Sequence, residues 1–302
     1  MMIHNIFFEA ITLVICICFF TGCDGKNSDA RVDITNWKNT PAWELAKAVR
    51  DEDISKIKKI AMENPQLLNC VEPVEKSPLI RWCVGMEKYD SLKALLENGA
   101  DPDIATIYGK TALYEAAGFS WIDTQAKQDA KYVKLLLQYG ADPNIYFKGG
   151  EPGYTYEAGN SPLIESIGCG IEKTKALVEA GADINHKTAG SKSTVAIKAL
   201  DFSEYPDYAY YLIVEKKANV KDCYYLMYND KEEHDKKYHP IDSLRIFWIF
   251  DLDTPEYKKK MEIVKEFKRQ GVDYWKTEIP KYTLETIKEQ YPKNWKEYIK
   301  KY

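Results

Sequence analysis

Leu95-Leu96-Glu97-Asn98-Gly99-Ala100-Asp101-Pro102-Asp103 decides the fold, because it comes back twice. It recurs as Leu136-Leu137-Gln138-Tyr139-Gly140-Ala141-Asp142-Pro143-Asn144, and again as Leu177-Val178-Glu179-Ala180-Gly181-Ala182-Asp183-Ile184-Asn185. In each copy an amphipathic helical pattern runs into a glycine, the residue that closes a helix in the left-handed conformation at least cost. The chain then reverses into a hairpin-like loop. A chain of 302 residues has room for one large domain, two ordinary ones or an array of small units, and internal repetition selects the array.

Working outward, each copy is preceded by a matching opening: Lys76-Ser77-Pro78-Leu79-Ile80, Lys110-Thr111-Ala112-Leu113-Tyr114 and Asn160-Ser161-Pro162-Leu163-Ile164. The hydroxyl residue is suited to cap a helix by accepting a backbone N–H, proline is preorganised for a first turn, and leucine points into a core. The capping glycines are 41 residues apart in both intervals. Ser77 to Gly99 spans 22 residues and Ser161 to Gly181 spans 20, but Thr111 to Gly140 spans 29, which places extra residues around Phe119 to Gln128 between paired helices. A second long connection runs from Ile145 to Gly159.

These openings and closings resemble the ankyrin repeat, with its T-P-L-H start and a unit of about 33 residues. The resemblance covers roughly Trp37 to Tyr274 and is tightest from Ser77 to Asn185. It departs at the histidine position, occupied here by Ile80, Tyr114 and Ile164. Weaker units flank the three strong ones. Thr40-Pro41-Ala42-Trp43 opens one with Ile57 and Ile60 facing inward. Thr194 to Val220 forms another with Leu212 and Ile213 in the core and Lys217 where the capping glycine belongs. His239 to Asp273 forms a sixth, with Val264 and Phe267 inward. The resemblance implies an all-α ankyrin-repeat solenoid of about five to six degenerate helix pairs, with an inserted loop, at 37–274. Residues 275–302 are expected to form a C-terminal helical cap, since a terminal unit needs a polar outer face.

The chain begins differently. Ala10 to Phe20 is an apolar run of the length of a secretory signal and too short to span the roughly 30 Å core of a bilayer. It ends in Phe20-Thr21-Gly22-Cys23, which resembles the bacterial lipobox, with Phe20 where leucine is usual. The expectation is a signal peptide at 1–22, a lipid on Cys23 and a flexible tether over 23–36. The implied address is the periplasm, lipid-anchored to a membrane, with Asp24 favouring the inner membrane. The four cysteines of the body, Cys70, Cys83, Cys169 and Cys223, lack metal-ligand spacing and are expected to be free thiols, mainly buried.

No catalytic constellation and no cofactor motif emerges. Gly109-Lys110-Thr111 looks like the tail of a phosphate loop, but Ile104 stands where its first glycine belongs and Thr111 already serves as a repeat cap. Glu232, Glu233, His234 and His239 fall in a charged linker without metal-site spacing. Lys plus Arg number 42 against 46 Asp plus Glu, so no positive field gathers nucleic acid. What remains is protein binding through loop aromatics, which offer contact area with few rotors to freeze. The 22 tyrosines make that reading concrete. Tyr108, Trp121, Tyr146, Phe147, Tyr154, Tyr156 and Tyr205 are the candidate contacts. An exported lipid anchor on a degenerate ankyrin body resembles immunity lipoproteins that accompany type VI secretion effectors. That resemblance implies a phospholipase-type toxin as partner and stoichiometric inhibition as mechanism. The alternative is a periplasmic scaffold or chaperone-like partner of an endogenous enzyme.

Overall fold

The computed structural model describes residues 33–153, 156–225 and 236–302. The signal peptide, Cys23 and Asp24 lie outside the described residues. So do Tyr154 and the Glu232, Glu233 and His234 cluster.

Among the described residues six helix pairs follow one another. They are α1 (Trp43–Arg50) with α2 (Ile54–Glu63), α3 (Leu79–Gly85) with α4 (Tyr89–Glu97), and α5 (Ala112–Ala117) with α6 (Lys131–Gln138). Then come α7 (Pro162–Glu165) with α8 (Ile171–Glu179), α9 (Val195–Asp201) with α10 (Pro206–Ala209), and α11 (Pro240–Phe247) with α12 (Pro255–Arg269). First helices touch first helices of the neighbouring pairs, and second helices touch second helices, from α1 to α12. This nearest-neighbour packing is that of a solenoid. The first helices are short, and every residue of α3 is buried. The second helices keep one wet face, and Leu95, Leu136 and Leu177, at equivalent places on α4, α6 and α8, are all fully buried.

The glycine caps form as expected. Gly99, Gly140 and Gly181 have φ of +94°, +87° and +91°. The next residue in each case bonds back to the leucine carbonyl of the helix, Ala100 N to Leu95 O, Ala141 N to Leu136 O and Ala182 N to Leu177 O, at 3.0, 3.1 and 3.0 Å. Lys217 takes the left-handed position too, at φ +62°, but the helix it closes is built otherwise. After α10 the chain runs on as a π-helix over Tyr210–Glu215, and the closing bond spans one residue more, Ala218 N to Leu212 O at 2.9 Å.

Thr111, Ser161 and Thr194 cap α5, α7 and α9 by accepting from Tyr114, Ile164 and Ile197 N–H. Ser77 departs from this pattern: its hydroxyl accepts from Arg81 Nη1 at 3.1 Å, and Pro78 takes the cap position without a side-chain bond. The connection between α5 and α6 that holds the insertion runs over 118–130 and is pinched by a bridge between Phe119 and Ala126.

The turn tips are joined by a ladder. Asn69, Asp103, Asn144 and Asn185 accept at 2.8 Å from the backbone N–H of Asp101, Asp142, Asp183 and Asn219, each in the next unit. Within the units, Asp101, Asp142, Asp183 and Asn219 side chains each accept the N–H two residues on. The Asp-x-Asn spacing of the repeated stretch is therefore one turn bond plus one rung to the neighbour.

At the front, a 3-10 turn over Ile34–Trp37 packs on α1, with Trp37 buried. Ile34 is buried as well, so the packed body takes in residues that the sequence assigned to the tether. At the back, α13 (Lys281–Gln290) and α14 (Trp295–Tyr298) gather a separate small core around Ile287, Tyr298 and Tyr302. Cys83 and Cys169 are buried thiols, and burial pushes Cys169 up to about 12.

Candidate functional site

The finger loops that lead into each first helix and the first helices themselves bound one face of the stack. A cleft of about 270 Å³ lies in it between α7, α9 and the loops around them. The cleft draws Glu165 and Lys198 from a position that recurs four residues beyond Ser77, Thr111, Ser161 and Thr194, where Arg81, Glu115, Glu165 and Lys198 stand. Because the first helices pack side by side, these four groups form a row.

The row is wired from one end. Arg81, 1% exposed in its side chain, meets Glu115 at 2.6 Å across the α3–α5 contact, with Glu75 at 3.6 Å. Glu115 also accepts from Trp121 Nε1 at 2.9 Å. Burial pushes the Glu115 carboxyl up, but the Arg81 and Lys110 cations and its hydrogen bonds outweigh that and hold it below the usual range. Next door, Glu165 Oε1 accepts from Tyr114 Oη at 2.9 Å and from Asn160 Nδ2. Burial raises the Glu165 carboxyl despite these bonds. Lys198 lies over the Phe202 ring at 5.2 Å. One turn along α9, Asp201 Oδ1 accepts from Ser243 at 2.8 Å, and burial pushes this carboxyl up to about 6.

The aromatics divide. Tyr156 lines the cleft, half-buried. Tyr146 is half-buried and stacks on His186 with ring centroids 3.7 Å apart. Tyr108 is half-buried on the preceding finger, where its carbonyl accepts from Lys148 N at 2.7 Å. Tyr205 is 50% exposed, but it sits in the connection between α9 and α10, at the end of the helix pairs opposite the fingers.

Two of the expected contacts are structural instead. Phe147 is buried: its N–H and C=O bond to Asn160 O and Gly159 N, which closes the loop and lays the ring near Tyr114 and beneath the Lys110 ammonium. Lys110 is itself buried in an ion pair with Glu151 at 2.6 Å, so this pair fastens the long loop to the stack. Trp121 folds back between Arg81, 4.9 Å from its ring, and Gly85, where an added Cβ would stand only 2.1 Å from the indole. It clamps the inserted segment down.

Sequence reasoning missed Glu165, Lys198, Asp201, Phe202, Tyr224 and Tyr225, all lining the cleft. The charged position four beyond each hydroxyl residue was the available signal. Gly109-Lys110-Thr111 serves the repeat: Gly109 turns at φ +83°, Lys110 meets Glu151 and Thr111 caps α5. Among the described residues no group of three or more His, Cys, Asp or Glu is placed to hold a metal.

A family model of the ankyrin repeat matches residues 108–146, which run from the finger before α5 to the loop after α6. No curated protein matches the chain. The fold is an all-α ankyrin-repeat solenoid of degenerate helix pairs, an architecture whose general role is binding protein partners.

Proposed function

We propose that this chain is a membrane-tethered protein-binding lipoprotein, an immunity protein that occupies and neutralises a secreted type VI toxin of phospholipase type. The observation that carries the binding role is the open face of the stack: finger loops bear the half-buried Tyr108, Tyr146 and Tyr156, and Tyr156 lines a cleft floored by ionisable first-helix residues. The tether and the toxin rest on the lipobox-like Phe20-Thr21-Gly22-Cys23 and on the likeness of an anchored ankyrin body to immunity lipoproteins. Inhibition is stoichiometric. The stack covers the entrance to the toxin's active site, and the lipid concentrates the inhibitor at the bilayer under attack.

Two measurements test this. Mature chain purified from its own cells, then identified with its bound partner by mass spectrometry, should bring down a secreted lipase. Equimolar addition should abolish that lipase's hydrolysis of phospholipid vesicles. Hydrolysis that continues with the chain in excess refutes the neutralising role. Metabolic labelling with a radioactive fatty acid should vanish in Cys23→Ser; labelling that persists refutes the anchor at that cysteine.

A further inference from the structure

We propose that the cleft between α7 and α9 is an anchor pocket for one basic side chain, arginine or lysine, presented by the protein partner on an extended segment. This rests on the protein-binding reading above and names the chemistry of its central contact.

The charge balance of the pocket is the first argument. Its lining holds three carboxylates, Glu157, Glu165 and Asp201, against the single ammonium of Lys198. Glu157 is spoken for, accepting from the N–H groups of Gly190 and Ser191 and from the Ser191 hydroxyl. Glu165 and Asp201 are engaged through one oxygen each, Oε1 by Tyr114 and Asn160 and Oδ1 by Ser243. Their second oxygens have no protein donor among the described residues. Lys198 neutralises neither at contact distance, since it lies over the Phe202 ring instead.

Size and walls are the second argument. A volume of about 270 Å³ falls below the roughly 300–1,000 Å³ of pockets that engulf a whole small ligand, and suits one long side chain. Tyr156, Phe202 and Tyr224 contribute apolar and π surface beside the two carboxylates. A cation in such a setting gains both from charge-assisted hydrogen bonds and from ring faces, while its methylene stem lies on the aromatic walls. Both carboxylates are half-buried, so water screens their attraction for an incoming cation less than it would at an open surface.

The test uses the full mature chain and two blocked pentapeptides, Ser-Gly-Arg-Gly-Ser and Ser-Gly-Gln-Gly-Ser, titrated to about 10 mM, because one anchored side chain gives affinities near the millimolar level. NMR shift changes at the Phe202 and Tyr224 rings are the readout. Saturable shifts with the arginine peptide and none with the glutamine peptide are expected. Asp201→Asn should weaken binding at least tenfold. Lys198→Gln, which removes the resident competing cation, should tighten it severalfold, an effect that misfolding cannot imitate. Equal response to both peptides, weakening by Lys198→Gln, or a stronger response to phosphocholine than to the arginine peptide overturns the assignment. If the peptides fail here while a partner is still captured and inhibited, the anchor pocket is wrong and the binding role stands. If the peptides bind but no partner is neutralised, the anchor pocket stands and the neutralising role is wrong.

Discussion

Replacing Glu115 with glutamine should destabilise the fold far more than an ordinary surface change. Glu115 is 9% exposed and faces Arg81, 1% exposed, at 2.6 Å. Breaking a buried pair by removing one partner costs about 3–5 kcal/mol, because the other charge stays behind unpaired. Arg81 would still have Ser77 at 3.1 Å and Glu75 at 3.6 Å, which places the expected loss at the lower end, about 3 kcal/mol. Urea unfolding followed by circular dichroism gives the total. Tryptophan fluorescence adds a local readout, since Trp121 donates to the same carboxylate. The double variant Arg81→Met with Glu115→Leu removes both charges and should be less destabilised than the two single variants summed, by about 1.5–3 kcal/mol. The pH dependence follows from the sign of the shift. The folded carboxyl sits below its ordinary value of 4.5, so its contribution is present above that value and is lost as pH falls through the folded one. In Glu115→Gln this acid-side loss should shrink. A cost under about 1 kcal/mol, or strict additivity in the double variant, would refute the claim that this pair joins the second and third units.

Asn144→Ala removes a rung, the 2.8 Å bond to Asp183 N, and a second bond from Nδ2 to Gly181 O at 3.1 Å. At about 1 kcal/mol each, urea unfolding should show a loss of about 2 kcal/mol, against about 1 kcal/mol for Asn185→Ala, which makes the rung alone. Asp201 is raised from 3.8 to about 6 in the folded chain, so its contribution to stability is full below pH 3.8 and disappears as pH climbs through 6. Asp201→Asn should accordingly be the more stable protein at pH 7, by up to about 3 kcal/mol, with the advantage vanishing near pH 4; a constant difference across that range would contradict the shift. Tyr302→Ala should cost about 3–5 kcal/mol in thermal or urea unfolding, since the buried ring lies 3.5 Å from the Lys260 ammonium and its hydroxyl donates to Arg245 O. A change under about 1 kcal/mol would mean that the C-terminal core does not hold the last pair.

The repeat was legible because its punctuation is local chemistry. Gly99, Gly140 and Gly181 announce themselves, since a left-handed cap prefers a residue without Cβ, and the fully buried leucines before them follow from helical spacing. Lys217 was legible as an anomaly, but its remedy was not: no residue pattern marks the extra residue of a π-helix. Tyr146 and Phe147 show where local reading stops. They are neighbours on one loop with similar rings, and what separates them is long-range: Phe147 bonds to Gly159 and Asn160 and lies buried beneath Lys110, while Tyr146 stacks on His186. Ser77 was misread for a related reason: a guanidinium four residues on outcompetes the backbone for its hydroxyl. The Arg81, Glu115, Glu165 and Lys198 row escaped notice because, taken singly, each looks like a solvated charge; it has meaning only once first helices stand side by side.

The rungs between turn tips also define how this molecule is allowed to vary. Partners across a rung are 32, 39, 39 and 34 residues apart along the chain, yet every rung is 2.8 Å long. Translation from unit to unit is thus metered by asparagine and aspartate side chains, indifferent to how much polypeptide lies between them. Surplus sequence is shunted into two ports, the connection inside a pair and the finger before it. A protein engineer could load either one with foreign loops and leave the pitch of the staircase untouched.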